Sequence, residues 1–587
     1  MASSSITILP DEIWIEISQY LTVQDLFRLR VCCRKLNAKI SSRAIWKPIC
    51  LKNWLNHQNN DPFMKITDNE ENYLLKDDWF SYFRFRNNID CGIMRNLRRI
   101  MQQKDSKKYW DEFQSLMRFK KSHIIPLLHR TVNKQYPRDE IPLHLIAICQ
   151  KVLTSYRHEY VVNLFTNENG GIEFVHNAEE TIFLKLAAMD PSFDRLLHHR
   201  SQVFNKIHLL IKRDFNNSSD EFMTLPTTLR VDKLICYLIE LLNPFSNSRH
   251  LFLEDFILLR IYAGEAHGHP LLILAIIQAL ASKYKVETLL CSSYLIIRDH
   301  RLKDGETYLT ISSTGKPKIF TRGRLIHSLK HLVGSSDYII QNEIIPTILQ
   351  PLKMKDCIST IFKELLPVYN KSKWYTMNPK TIESAKLIFP HSGQPMSCDA
   401  VNYFLCVHKA TDIGHRNEMR VSTLYTITRR EVFRMLSKLY PGDLNEIKSL
   451  LRRDSDSFVE PFLRYEEWLH QLHNISLETE DGMGLFVVSS RDLQLMCIVG
   501  TRQFSNQHTY YTLMNALGEF YIELDENVEP CDWECNEDLI SDFLSMASRS
   551  DLGLVFSGID KSSHRLEMNS IVQHIIDEKE QQASLGF

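Results

Sequence analysis

The chain lacks most of the features that would place it quickly. No run of about 18 apolar residues free of charge occurs among its 587 residues, so no helix is expected to span a membrane. No charge of one sign dominates: 70 Lys and Arg face 71 Asp and Glu, a formal net charge of −1. The whole molecule therefore has no long-range attraction for nucleic acid or anionic membrane. Glycine is scarce, at 19 residues, and no Walker-type glycine-rich phosphate loop is present, which excludes that class of nucleotide site. Thirteen cysteines are scattered without a Cys-x-x-Cys pair, which excludes a zinc ribbon and suits reduced thiols. The opening "MASSSITILPDE" has neither the basic nor the apolar segment of a secretory signal. A fixed-period repeat is also missing. Together these point to a soluble intracellular protein of the cytoplasm, the nucleus or both.

What is present is an ordinary globular composition, 44% apolar, in a chain long enough for several cores, since one core rarely grows past about 250–300 residues. The pattern is helix first, then mixed α+β, then helix, then a small β unit. Helical periodicity dominates residues 91–245 and culminates in "FLEDFILLRIYAGEAHGHPLLILAIIQALASKYKV" at 252–286, the longest apolar helical stretch. "ETLLCSSYLIIRDHR" then alternates as a strand. "KDGE" at 303–306 is a hairpin turn in which Gly305 supplies positive φ, and "TYLTISS" returns. Residues 335–475 revert to helix. From Gly484 the period is again two, over "LFVVSS", "QLMCIVGTR", "TYYTLMN" and "EFYIELD". That is the pattern of a β-barrel of about 50 residues, followed by a polar helical tail.

The most concentrated signal is "LPDEIWIEISQYLTVQDLFRLRVCCRKLNAKISSRAIWKPIC" at 9–50. Three short helices are expected, Pro10–Tyr20, one carrying Leu26, Leu29 and Val31, and one from Arg34 to Ile40, with Trp46 starting another. Thr22 and Asp25 have the spacing of a helix cap. So small a bundle cannot bury all these apolar side chains in itself. The surplus is expected to form a partner-facing patch.

This stretch resembles an F-box. The matching residues are Leu9-Pro10, Glu12, Ile13, Ile17, Leu21, Asp25-Leu26, Leu29, Val31-Cys32, Arg34-Lys35 and Ile45-Trp46-Lys47. The resemblance implies docking on a Skp adaptor and, through it, a cullin–RING ubiquitin ligase. Leu9, Pro10, Ile13, Ile17, Leu21, Leu26, Leu29 and Val31 would contribute to the adaptor contact, and Trp46 would close the unit. Residues 195–345 resemble a transglutaminase-like SirB domain through 268–286, 291–299 and 304–312. The last domain resembles the YccV-like module, also called hemimethylated-DNA-binding-like, through 484–500, 509–515 and 526–530. The order of the three is that of the F-box only protein 21 family. The expected fold is thus multidomain α+β: F-box at 5–52, helical linker region at 53–194, SirB-like core at 195–345, helical region at 346–478, barrel at 480–531 and helical tail at 532–587.

Chemistry is not expected from this chain. A transglutaminase-type triad needs a Cys at a helix start and a His on the next strand, but here Gly268-His269-Pro270-Leu271 and Ser292-Ser293-Tyr294 stand in those places. Cys291 falls in an apolar strand, where a thiol is a small hydrophobe. Between Leu485 and Pro530 two arginines face six acids, which opposes phosphate and favours protein recognition by the barrel; Tyr510, Tyr511 and Phe520 there are expected in its core. His267/His269, His198-His199 and "CDWEC" at 531–535 are expected to be structural rather than metal sites, and the basic stretch 94–121 a solvated helix face. No cofactor is called for. Two readings of function stay open. One is the substrate-recognition subunit of a Skp adaptor–cullin–F-box ligase with an unknown protein target. The other is an F-box protein holding the adaptor outside a ligase and sequestering a partner such as a trafficking GTPase.

Overall fold

A computed structural model describes residues 9–55, 67–376 and 482–577, apart from short interruptions within these ranges. The helical reading of 377–478 and the end of the tail lie outside the described residues. The chain divides into two compact units. One comprises residues up to 156 together with the C-terminal part from 482, and the other starts at 157.

The first unit begins with four helices: α1 Asp11–Tyr20, α2 Val23–Cys32, α3 Arg34–Ile40 and α4 Arg43–Cys50. The cap before α2 forms as expected: the Asp25 N–H donates to Thr22 Oγ1 at 3.2 Å, and the Thr22 N–H donates to Asp25 Oδ2 at 3.3 Å. Trp46 lies mid-way along α4 rather than at its start, because Ser42 caps the helix four residues earlier. These helices share an apolar core with the helix Trp79–Met101 through Trp79, Tyr82 and Phe83.

A second core in this unit corrects the expected domain plan. Helices over 93–156 and the C-terminal strands bury their side chains together: Ile146, Val152 and Tyr156 share a core with Phe486, Leu495, Cys497 and Val499. The β unit is therefore not a separate domain: it shares its core with helices from the region expected as a linker at 53–194. Its strands are β5 Phe486–Ser489, β6 Leu495–Gln503, β7 Thr509–Asn515, β8 Phe520–Leu524 and β9 Val528–Pro530, in the antiparallel order β8-β7-β6-β5-β9. Among the described residues no β8–β9 pairing closes a barrel. The expected helical tail instead holds a helix, Glu537–Met546, and a hairpin, β10 Phe556–Asp560 with β11 Arg565–Met568. This segment packs tightly on the unit. His144 Nδ1–H donates to the Gly553 carbonyl at 2.7 Å, and a Cβ on Gly553 would lie 2.0 Å from the Leu143 carbonyl oxygen.

Buried charge ties the helices together. Glu70 and Arg86 are both fully buried and paired, and Arg86 also donates to the carbonyls of Ser122 at 3.0 Å and His123 at 3.2 Å.

The second unit is built on the helix Pro270–Lys283, buried from Leu271 to Ala281. The long apolar stretch that the sequence reads as one helical region is broken at Gly264–His269 into a 3₁₀ turn Leu253–Phe256, a short helix Leu258–Tyr262 and this central helix. Pro270 suits the first turn, where its missing N–H is not needed. The central helix packs on an antiparallel sheet of β1 Thr288–Leu290, β2 Leu295–Arg298, β3 Glu306–Ile311 and β4 Pro317–Phe320. The stretch read as one strand is two, with Ser292-Ser293 between them, and β4 was not expected. Gly305 has φ +70°, as the turn requires. Arg200 grips Glu179 bidentately at 2.6 and 2.7 Å, and buried Arg260 pairs with buried Asp190.

Candidate functional site

The four N-terminal helices sort their apolar residues into three groups. Leu26 and Trp46 are core, at 1% and 0% exposure. Trp46 lies with its ring centroid 4.5 Å from that of Phe83, and its indole N–H donates to the Ile40 carbonyl at 2.5 Å. Leu9, Ile17, Leu21 and Leu29 are half-buried and pack on the same core. Pro10, Ile13 and Val31 are exposed, Val31 at 85%. The expected contact set is thus split. Leu26 is inside the domain and supports the surface rather than forming it, because it fills the space between α2 and the other helices.

A residue not in that set stands out beside it. Tyr20, the last residue of α1, is 88% exposed. Aromatic side chains of this kind anchor protein interfaces. Its neighbours Leu21 and Ile17 pack on the core, while Tyr20 ends the helix with its side chain in solvent. A 3.6-residue period groups Tyr20 with Ile17, so periodicity alone does not reveal its exposure. Around these side chains the surface carries both signs, with Glu12 and Glu16 exposed on α1. Arg28, Arg34 and Lys35 are exposed, while Arg30 lies 3.6 Å over the Phe80 ring and donates from Nε to Asn37 at 3.0 Å. Lys39 Nζ donates to the Leu9 carbonyl at 3.1 Å and fixes the start of α1. The arrangement is a set of exposed apolar side chains among charges of both signs on a small domain, suited to a protein partner.

The other candidate positions are placed as follows. Cys291 is buried, its Sγ–H donates to the Leu349 carbonyl at 3.2 Å, and burial pushes the thiol up to about 12. It is held as a thiol at neutral pH. His269 is buried and caps the central helix. Its Nδ1 accepts from the Leu271 N–H at 3.2 Å, Nε2 faces Glu364 at 2.7 Å, and Phe256 stacks on the ring at 5.0 Å. The hydrogen bond from His269 draws the Glu364 carboxyl below its ordinary range. Glu364 lies 95 residues away in sequence, so no local spacing could have revealed it. His267 is exposed, His198 and His199 lie with centroids 4.0 Å apart, and no group of three metal-ligating side chains occurs among the described residues. Cys531 is half-buried and Cys535 exposed, and neither forms a disulfide. Tyr510 and Tyr511 are half-buried rather than core, and the Phe520 side chain lies outside the description.

Residues 6–48 match the family described as F-box domain. An F-box domain opens this chain. Over 98% of its length the chain is also similar to a Saccharomyces cerevisiae protein named mitochondrial distribution and morphology protein 30, at 26% identity and over 96% of that protein. No solved structure matches the chain. The F-box match spans α1 to α4 nearly to its end, so the exposed apolar residues described above belong to the F-box domain itself.

Proposed function

We propose that this protein is the substrate-recognition subunit of a Skp adaptor–cullin–F-box ubiquitin ligase, docking its adaptor through the α1–α2 face. The observation that carries the reading is the F-box domain at 6–48 together with the exposure of Ile13, Tyr20 and Val31 on it. Such a receptor makes and breaks no bond itself. It raises the concentration of a target beside a ubiquitin-charged enzyme, and proximity supplies the rate. Target choice falls to the rest of the chain. The transglutaminase-like reading of the β1–β4 unit assigns it a binding scaffold, consistent with the protonated, buried Cys291. The YccV-like reading of the β5–β9 sheet assigns it protein recognition, consistent with its acidic balance. The name of the yeast relative suggests that the target belongs to the machinery of mitochondrial distribution and morphology.

The test is direct binding of the purified chain to a Skp adaptor, beside the double variant Leu9→Ala/Pro10→Ala. The proposal expects binding by the wild type and its loss in the variant. Absence of binding by a folded wild-type chain overturns the reading. Binding retained by the variant removes the start of α1 from the docking face.

A further inference from the structure

A second site of different chemistry lies on the other unit. The helix Arg322–Val333 buries Leu325 and Leu329 and turns His327 and His331 to solvent. These two are four residues apart, one helical turn, so their side chains lie on one face. Their Nε2 atoms are 3.2 Å apart, with ring centroids at 4.6 Å and planes at 89°. Both rings thus present the same nitrogen to one point in space.

That separation lets one ring N–H donate to the other ring's nitrogen, and it is also the spacing that a shared cation needs. Zinc binds imidazole nitrogen at about 2.0–2.1 Å, and two ligands on adjacent corners of a tetrahedron at that radius lie about 3.3–3.4 Å apart. The observed gap is that edge to within a small side-chain adjustment. We infer that His327 and His331 form a bidentate site for a zinc-class divalent cation. The one cation on the same turn, Lys330, is engaged by Asp337 at 3.0 Å, which balances its charge locally. With two protein ligands, the other two positions are open to water. The site is therefore of the open kind, able to take an exogenous donor, rather than a closed structural centre. The two other close His pairs lack this geometry. His198 Nδ1 is already held at 2.7 Å by the Arg195 carbonyl, and His269 is buried against Glu364.

The test uses zinc chloride alone and the full chain. Diethylpyrocarbonate modifies accessible histidines, and mass spectrometry reads each one. Zinc is expected to protect His327 and His331 together while leaving exposed His267 reactive. In His331→Ala the protection of His327 should fall on the order of tenfold in zinc concentration, since one imidazole alone is a weak ligand; His198→Ala should change nothing. Both variants replace exposed side chains, and His331→Ala favours the helix, so folding is not at issue; unchanged circular dichroism confirms it. Protection of one histidine without the other, protection of His327 undiminished in His331→Ala, or no protection at zinc concentrations that saturate the chain would each overturn the inference. This test is independent of adaptor binding.

Discussion

Val31 and Leu26 sit five residues apart on α2 and should fail in opposite ways. Val31 is 85% exposed and Leu26 1%. If the α2 face meets a partner, Val31 becomes buried on binding. Val31→Ala removes two methylene equivalents at about 0.8 kcal/mol each, which weakens binding roughly 15-fold. Val31→Asp also puts a carboxylate into the apolar contact, and the loss should exceed about a hundredfold. Neither change touches the core, so the unfolding of the domain should move by no more than about 0.5 kcal/mol. Leu26→Ala does the reverse. It opens a cavity in a small core and should cost about 2–5 kcal/mol of stability, so that binding is lost through unfolding. Calorimetric titration with a purified Skp adaptor gives the affinities. Circular dichroism and hydrogen exchange of α1–α4 give the folding. Val31→Asp binding like wild type, with the domain folded, would refute the assignment of this face.

The buried Glu70–Arg86 pair yields two further expectations. Glu70→Gln leaves the Arg86 cation buried without its counter-charge and should cost about 3–5 kcal/mol, while Glu70→Leu/Arg86→Met together should cost markedly less; amide exchange in the helix Trp79–Met101 separates the two, and equal losses would contradict the argument. Burial pushes the Glu70 carboxyl up, but the His123 hydrogen bond, the Arg86 charge and the Thr67 N–H outweigh it and hold it at about 2. A depressed carboxyl contributes stability in full above its unfolded value near 4.3 and loses it as pH falls toward 2. Protection of that helix should therefore decline through this window in the wild type and stay flatter in Glu70→Gln. Gly553→Ala places a methyl against the Leu143 carbonyl and should loosen the C-terminal segment, read as new proteolytic cleavage after residue 546; an uncleaved variant would contradict the close packing.

Local chemistry made parts of this molecule legible from its residues alone. The Thr22–Asp25 cap, the helix ends of α1 to α3 and the Gly305 turn each depend on residues within a few positions of one another, and each forms. Exposure was harder to read. Leu26, Val31 and Tyr20 are all apolar on short helices, and only the third dimension shows that the first is core and the other two are surface. The domain plan failed for a related reason. Ile146 and Phe486 are more than 300 residues apart, and no periodicity in either segment announces that they share a core. The strands β10 and β11 hide in a polar stretch because a two-stranded hairpin needs only a few inward residues, such as Phe556 and Leu566. Glu364 and Glu70 acquire their roles only when the fold brings a histidine or an arginine to them.

The claim that this is a ligase receptor is tested most directly by purifying the intact protein from its own cells and reading the companions by mass spectrometry, with Tyr20→Ala/Val31→Asp alongside. The account predicts that a Skp adaptor and a cullin both accompany the wild type and that both are lost from the variant, while target proteins stay. An adaptor recovered without any cullin, or a cullin unaffected by the variant, would contradict it.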